Sequence, residues 1–368
     1  MRQSGTGVPP VFSLAELRGE KRVGLILLAL TILAAGNFAR AAVGQETMDR
    51  VKSAGRIVSG VNVRAGLADL PTGTTWEGLS VDLAKALAAA VLGDPGKVSF
   101  VVADRKSGPE KLSVGEIDLY LPVEPMALSK LASLGLAASQ AFFFNVQKIM
   151  VTKESGITTV AQLRNKSIAV QPGYVNEQNF ETANEEQLRS YFRRAGWQLL
   201  IFPFQEWDEM ESAFVAGRVN ALSAEETELA RLRAGNREEV GDAVILPEVI
   251  GMQPVSAVVQ ARDLNWLKLV NATISLLIDA ESLGITSDNL ERMKAVNDPE
   301  IQYVLGVTPG IGIVAGLDDR WGERVIKSVG NYGQMFGRDL GVDSPLTIPR
   351  GFNELWSRGG LLYSQALR

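Results

Sequence analysis

The hydrophobic and polar positions of this chain alternate between two periods. Short runs rich in β-branched and other apolar residues predict strands at 56–63, 97–103, 117–123, 167–170, 198–202 and 219–222. Between them, apolar residues at helical spacing predict helices around 80–92, 185–194 and 208–216. Strands that alternate with helices form parallel sheets covered on both faces, so the pattern predicts an α/β protein.

The first of these helices has both ends marked in the sequence. Ser80 is a residue that favours the N-cap position, and Gly93 favours the left-handed conformation that ends a helix. Leu83, Leu87 and Val91 share one face between them. We therefore expect a helix capped by Ser80 and ended by Gly93.

The final third of the chain is predicted to be helical from about Asn265. Apolar stripes at helical spacing comprise Trp266, Val270, Ile274 and Leu277 in one helix, and Trp321, Val325, Tyr332 and Phe336 further on. Aromatic residues also line cofactor sites, but helical spacing is more typical of core packing. We therefore expect core helices here and no cofactor.

Two stretches, 112–119 and 214–221, resemble each other weakly. In each, a predicted helix ends on a glycine, Gly115 or Gly217, and a buried strand begins two residues later. Any helix–glycine–strand unit shares this pattern, so equivalent halves and chance similarity both stay open. If the halves are equivalent, both have loops at the carboxyl ends of their strands, where open parallel sheets bind ligands.

The N-terminus has the pattern of a secretory signal peptide. Lys21 and Arg22 precede the apolar run 23–36, and Ala39 and Ala41 form a small-x-small cleavage motif. A membrane anchor is the alternative, but a spanning helix needs roughly 20 apolar residues and this run is shorter. We expect cleavage after Ala41 and a mature protein in the periplasm.

Two absences narrow the chemistry that this chain can perform. Its 368 residues include no Cys and no His, which excludes disulfides, thiol nucleophiles, Ser-His-Asp triads and zinc sites built on those residues. The net charge of −5 argues against nucleic acid as a partner, because nucleic acid attracts basic patches. Carboxylate, Lys, Tyr or Ser-Lys chemistry remains for an enzyme, but we expect a binding protein rather than an enzyme.

Several motifs follow one another in a specific order along the mature chain. They include Trp76-x-Gly78-Leu79-x-Val81-Asp82, Gly115-Glu116-Ile117-Asp118, Glu281-x-Leu283-Gly284-Ile285-Thr286-Ser287, Asn297-Asp298-Pro299-Glu300-Ile301 and Val329-Gly330-Asn331-Tyr332-Gly333. In this order and spacing, the chain resembles the general L-amino-acid-binding proteins of polar-amino-acid ABC transporters, in solute-binding protein family 3.

The resemblance implies a two-lobed periplasmic-binding-protein fold of type 2, with parallel-rich sheets flanked by helices. Lobe one would comprise 42–147 and 250–368, with a C-terminal helical extension, and lobe two 148–249. Two crossover strands, near 144–151 and 246–255, would join them. It also implies a small polar ligand held between lobes that close by hinge motion, ABC permease membrane subunits as partners, and a monomer.

The predicted ligand pocket departs from the family's pattern. The family's carboxylate-binding Arg corresponds to Lys130, a point charge that lacks the planar fork of a guanidinium. The family's ammonium-binding Asp corresponds to Glu225, and a polar stretch of the family corresponds to 123–127, where Glu124 adds a negative charge. The predicted ligand-binding residues also include Trp76, Val175 and Asn176.

Most of these residues also have a structural interpretation. Lys130 follows Ser129 in a helical stretch and would suit a solvated surface, while Glu225 would suit a helix N-terminus. Trp76 would suit the core. For Glu124 we form a specific hypothesis: it pairs with Lys130, fills the carboxylate subsite and weakens the binding of ordinary amino acids.

Three functions are compatible with the sequence. The favoured one is a transport receptor for an amino acid or a related small polar solute. The second is an enzyme on the same scaffold, such as a dehydratase, although no recognisable acid–base pair is present. The third is a ligand-free or sensory paralogue that acts through a protein partner. Product formation would identify the second, and the absence of stabilisation by any solute would identify the third.

Overall fold

The computed structural model describes residues 46–70, 73–172, 175–176, 179–180, 183–235 and 242–367, with the backbone alone at 175–176 and 179–180. All of them belong to the unit Glu46–Arg368. The predicted signal peptide, with its apolar run 23–36, lies outside the described residues. Among the residues that are described, no helix is long and apolar enough to cross a membrane.

Eleven strands are present in the described residues. They are β1 (Ile57–Val61), β2 (Val98–Val102), β3 (Leu119–Leu121), β4 (Leu136–Thr152), β5 (Ser167–Val170), β6 (Val175–Asn176), β7 (Asn179–Phe180), β8 (Leu200–Pro203), β9 (Ala221–Glu225), β10 (Ala243–Ile245) and β11 (Gly251–Gln260). Nine of them form one sheet in the order β2-β1-β3-β11-β4-β9-β5-β8, with β10 paired to β4. Strands β6 and β7 form a separate hairpin.

The large sheet consists of two parallel parts joined by two antiparallel strands. We call β2-β1-β3 the first half-sheet and β9-β5-β8 the second half-sheet, because the strands within each run parallel. The long strand β4 pairs with β11 along its first part and with β9 along its last part, antiparallel to both. The lobe boundaries expected at 147/148 and 249/250 fall within β4 and just before β11, and they stay a prediction.

The helices lie between these strands and after them. They are α1 (Thr47–Ala54), α2 (Leu79–Leu92), α3 (Ser107–Val114), α4 (Leu128–Ser133), α5 (Asn184–Arg194), α6 (Trp207–Val215), α7 (Glu226–Gly235), α8 (Leu264–Ser282), α9 (Leu290–Lys294), α10 (Pro299–Val304), α11 (Ile311–Ala315), α12 (Trp321–Val329) and α13 (Tyr332–Asp339). Strands that alternate with helices up to β11, followed by helices alone, confirm the predicted α/β class.

The aromatic stripes of the last third lie in the core, as their spacing predicted. Trp266 and Trp321 are fully buried, and Tyr332 and Phe336 are 2% and 1% exposed. They belong to one apolar cluster with α2 and the strands of the first half-sheet. The second half-sheet has two smaller apolar clusters.

Helix α2 ends as predicted but begins earlier than predicted. Gly93 follows it in the left-handed conformation, with φ of 74°. The N-cap is Gly78 and not Ser80, whose backbone N–H instead donates to Leu67 O at 2.8 Å. A Cβ atom at position 78 would lie 2.5 Å from the Leu67 backbone, so only glycine permits this close approach at the start of the helix.

The two weakly similar stretches have the same local structure. Gly115 and Gly217 both adopt positive φ, 80° and 67°. Gly115 directly follows α3, and Gly217 lies one residue further beyond the end of α6. Strands β3 and β9 then begin four residues after these glycines, and not two as expected. In each half, a helix–glycine–strand unit therefore delivers the chain to the carboxyl edge of a half-sheet.

The C-terminal segment is attached to β4. Asn353 accepts from Phe144 N at 2.7 Å and donates to Phe144 O at 3.0 Å, so its amide pairs with β4 much as a neighbouring strand would. The Tyr332 hydroxyl donates to Phe142 O at 2.8 Å. These bonds hold β4 against the helical extension up to Phe144, at the start of the predicted crossover.

Candidate functional site

Charged residues of both half-sheets follow the carboxyl ends of parallel strands. In the first half-sheet, Arg64 comes after β1, Arg105 after β2 and Glu124 after β3. In the second, Glu225 is the last residue of β9 and Glu228 lies in the first turn of α7. This edge is where ligands bind in open parallel sheets, so these residues form the candidate site.

An ion pair connects the two half-sheets at this edge. Arg64 Nη1 donates to Glu228 Oε1 at 2.7 Å, and the two side chains are 19% and 14% exposed. Glu228 Oε2 also accepts from Arg231 Nε at 2.9 Å. The Glu228 carboxylate therefore has a guanidinium at each of its oxygens.

Burial and neighbouring charges act in opposite directions on Arg64. Burial lowers its pKa, but the negative charges of Glu228, Glu225 and Glu124 outweigh this effect and the net shift is upward. Burial likewise works against the charge of Glu228, while Arg64 and Arg231 lower its pKa. Both groups are therefore ionised, and Arg64 lies in the combined field of the three carboxylates.

Glu225 is the most deeply buried acid of the site. It is 6% exposed, and Asn184 Nδ2 donates to its Oε1 at 3.0 Å. Among the described residues, no Lys or Arg lies within ion-pair distance of Glu225. The Asn184 backbone oxygen accepts from Gln147 on β4, which fixes the start of α5 beside the carboxylate. Glu225 is thus a buried carboxylate at the end of β9, directly before α7.

Glu124 has a different partner from the one we hypothesised. Its Oε2 accepts from Arg105 Nη1 at 3.0 Å, and the side chain is 14% exposed. No hydrogen bond or ion pair joins it to Lys130 in the described part of the chain. The hypothesis of a Glu124–Lys130 pair is therefore wrong, because a guanidinium that follows β2 already binds this carboxylate.

Lys130 and Trp76 lie apart from the charged contacts. Lys130 is half-buried in α4, and its ammonium group has no hydrogen-bond or ion-pair partner among the described residues. Trp76 packs its ring on Phe100 of β2, with ring centroids 5.6 Å apart. It borders the apolar cluster of the first half-sheet, which agrees with the core-packing interpretation.

Val175 and Asn176 form β6, which pairs with β7 through Val175 with Phe180 and Asn176 with Asn179. Their side chains lie outside the described residues. Their predicted role in ligand binding stays a prediction.

A groove of about 380 Å³ lies elsewhere, between α5 and the first residues of β11. It contains none of the predicted site residues, and its charged members Glu186 and Arg194 are solvent-exposed. Buried opposite charges are what bind a charged solute, so we place the candidate site at the strand ends and not in this groove.

Sequence reasoning missed Arg64, Arg105 and Glu228. The signal that identifies the first two is their position directly after predicted parallel strands, at the edge where ligands bind. The side chains of the candidate site can bind both a negative and a positive group of a ligand. Guanidinium groups bind carboxylates, and a buried carboxylate binds an ammonium group. No group of three or more potential metal ligands occurs in the described residues.

No protein-family model matches the chain. The general L-amino acid-binding periplasmic protein AapJ of Rhizobium johnstonii is 33% identical to it over 344 residues, which cover 93% of this chain and 97% of the relative. The glutamate/glutamine/aspartate/asparagine-binding protein BztA of Rhodobacter capsulatus is 32% identical over 343 residues, which cover 93% of this chain and 97% of the relative. Both relatives are binding proteins rather than enzymes.

A solved structure is similar in both sequence and fold. It is an ABC transporter/periplasmic binding protein from Brucella ovis with glutathione bound, and it is 34% identical to this chain. The superposition has a TM-score of 0.75 and covers 88% of this chain and 100% of the other. The similarity therefore extends over both half-sheets and the C-terminal helices.

Proposed function

Since the chain belongs to the family of periplasmic amino-acid-binding proteins of ABC transporters, we propose that it delivers an amino acid or a related small polar solute to an ABC importer. The family membership confirms the resemblance that the motifs carry, and the chain has the two-lobed, type 2 periplasmic-binding-protein fold. The ligand itself is the open part of the function.

The observation that carries the ligand class is the buried carboxylate of Glu225, which has no cation within ion-pair distance among the described residues. A carboxylate that is 6% exposed is costly unless a partner compensates its charge, and the partner that the described residues provide is the neutral amide of Asn184. The ammonium group of an amino acid would compensate it. Arg64, whose pKa is raised by the negative charge of Glu225 among others, follows β1 of the opposite half-sheet and provides the complementary cation.

The relatives bind chemically related solutes. Amino acids and glutathione all carry a free ammonium group and at least one carboxylate, which are the two groups that Glu225 and Arg64 suit. We therefore infer a ligand with both groups, and we place the α-ammonium at Glu225.

The remaining parts of the proposal follow from how such a receptor works. The ligand binds between lobe one (42–147 and 250–368) and lobe two (148–249), which close by a hinge in β4 and β11. The mature protein is a periplasmic monomer, released by cleavage after Ala41, that docks on ABC permease membrane subunits. We propose a binding protein rather than an enzyme, since both relatives are binding proteins.

Thermal unfolding of the chain purified from the periplasm tests this function. The panel comprises the L-amino acids, glutathione, polyamines and organic acids, and mass spectrometry of the same sample reads the N-terminus. A solute at about 100 times its dissociation constant adds about 2.7 kcal/mol to the free energy of unfolding. We expect at least one ammonium-bearing carboxylate to do so.

The Glu225→Gln variant tests the assigned site. Loss of a charged partner weakens binding by about 10- to 100-fold, so the stabilisation should largely disappear, whereas the Glu116→Gln control, at an acid that is 61% exposed, should keep it. A flat panel with the unmodified chain would favour the ligand-free partner role instead. Turnover of a prephenate-like substrate would favour a dehydratase.

A further inference from the structure

Arg64 uses few of its hydrogen-bond donors. A guanidinium has five N–H donors, and in the described structure the one from Nη1 to Glu228 Oε1 is the only one with a protein acceptor. The side chain is 19% exposed, so most of its surface is shielded from solvent. None of its other nitrogen atoms is sealed from solvent without a partner. The unused donors are therefore accessible to a ligand.

Lys130, which the sequence predicts to bind the ligand carboxylate, is less suited to this than Arg64. Lys130 lies in the six-residue helix α4, is half-buried, and offers a point charge instead of a planar fork. Arg105, the other guanidinium of the first half-sheet at this edge, already bonds the Glu124 carboxylate. Among the described residues, Arg64 is thus the less exposed guanidinium of the first half-sheet at this edge, and most of its donors are unused.

Glu228 holds Arg64 in place and uses only one of its hydrogen-bond donors. Its Oε1 accepts from Arg64 and its Oε2 from Arg231, so the carboxylate is itself fixed from two sides. A guanidinium fixed through one N–H can still present two parallel donors to a second carboxylate. The ion pair with Glu228 therefore orients Arg64 toward the edge where Glu225 lies.

We propose that Arg64 binds the carboxylate of the ligand and is the residue that selects α-amino acids with a free carboxylate. The proposal rests on the proposed function and extends it, because it assigns the second charged group of the solute. Glu225 and Arg64 lie on opposite half-sheets, so a single zwitterion that bonds both links the two halves of the protein. Lys130 has no part in this recognition.

Affinities for the 20 L-amino acids and for their α-carboxamides, measured by isothermal titration, test the proposal. The carboxamide keeps the ammonium group and the side chain and loses only the negative charge. The unmodified protein should bind the acid about 10- to 100-fold more tightly than the amide, as expected for a charged hydrogen bond. Arg64→Gln should abolish this preference, and Arg64→Lys should reduce it, because the charge stays and the fork is lost.

Glu228→Gln is the matched control. It removes the charge from the same ion pair, but the Gln amide oxygen can still accept from Arg64 Nη1 and keep the guanidinium in place, so this variant should weaken acid and amide alike and keep their ratio. Equal loss of the preference in both variants would show that only the ion pair matters, and would overturn the proposal. So would a preference that survives in Arg64→Gln or disappears in Lys130→Gln. If the unmodified protein binds none of the amino acids, this assignment fails, and the proposed function fails as well only if no other solute of the thermal-unfolding panel stabilises the protein.

Discussion

Asp339 and Asp82 form a buried acid pair between α13 and α2, and the Asp339→Asn substitution tests its energy. Their side chains are 6% and 8% exposed. Arg338 hydrogen-bonds Asp82 and lies 3.7 Å from Asp339, and Lys85 Nζ lies 3.5 Å from Asp82. Burial, followed by the negative charge of Asp82, raises the pKa of Asp339 to about 8.

The sign of the pH dependence follows from this shift. The folded chain holds the Asp339 proton more tightly than an unfolded chain, in which the pKa of Asp is about 3.9. The stabilising effect is therefore complete below about pH 4 and is lost as the pH rises through the folded-state pKa. Proton linkage gives a loss of about 4 kcal/mol in the free energy of unfolding between about pH 5 and about pH 8.

Urea unfolding at a series of pH values measures this loss. Trp266 and Trp321 are buried in the same half of the molecule, so tryptophan fluorescence reports the relevant transition. The Asn side chain is neutral, has the same shape and can still donate to Asp82, so the D339N profile should lack most of the decline. Asp343→Asn, at an exposed acid of the same segment, should leave the decline unchanged. Parallel profiles for D339N and the unmodified chain would refute the reasoning.

Two further substitutions test the structure around the site. Asn353→Ala removes both hydrogen bonds to Phe144 at a position that is 5% exposed. We expect urea titration to show a loss of about 2–4 kcal/mol in the free energy of unfolding. An unchanged urea midpoint would mean that the C-terminal segment does not hold β4. Gly78→Ala adds a Cβ 2.5 Å from backbone at φ of 120°, whereas at Gly93 no atom lies within 4 Å of the added Cβ. We expect Gly78→Ala to lower the free energy of unfolding by more than about 3 kcal/mol and Gly93→Ala to lower it by about 1 kcal/mol. Equal shifts of the thermal midpoint in the two variants would contradict this.

The elements could be predicted where residues close in sequence determine them. Strand β5 coincides with the predicted 167–170, and α8 begins at Leu264, one residue before the predicted start of the helical third near Asn265. The start of α2 could not be predicted in this way. Gly78 replaces Ser80 as the cap because a segment more than ten residues earlier approaches the helix, and no local pattern reports that approach.

The partners of the site residues could not be predicted, because the fold sets them over long sequence distances. Arg64 and Glu228 are 164 positions apart. Glu124 was correctly placed at a strand end, but its partner follows a different strand and is not Lys130. The rule that ligands bind at the carboxyl ends of parallel strands, applied to every strand, would have selected Arg64 and Arg105. It would not have shown which carboxylate each of them bonds.

The balance of charges at the site narrows the ligand further. The described side chains at this edge comprise three cations and three anions: Arg64, Arg105 and Arg231, and Glu124, Glu225 and Glu228. Five of these six charges take part in ion pairs, of Arg64 and Arg231 with Glu228 and of Arg105 with Glu124. Among the described residues, Glu225 lacks a direct ionic contact, and Arg64 is the least exposed of the three cations and has unused donors. A zwitterion satisfies both residues and adds no net charge to a buried site. A second carboxylate on the ligand would have to compete with Glu124 for Arg105, so we expect amino acids with uncharged side chains to bind more tightly than dicarboxylic ones.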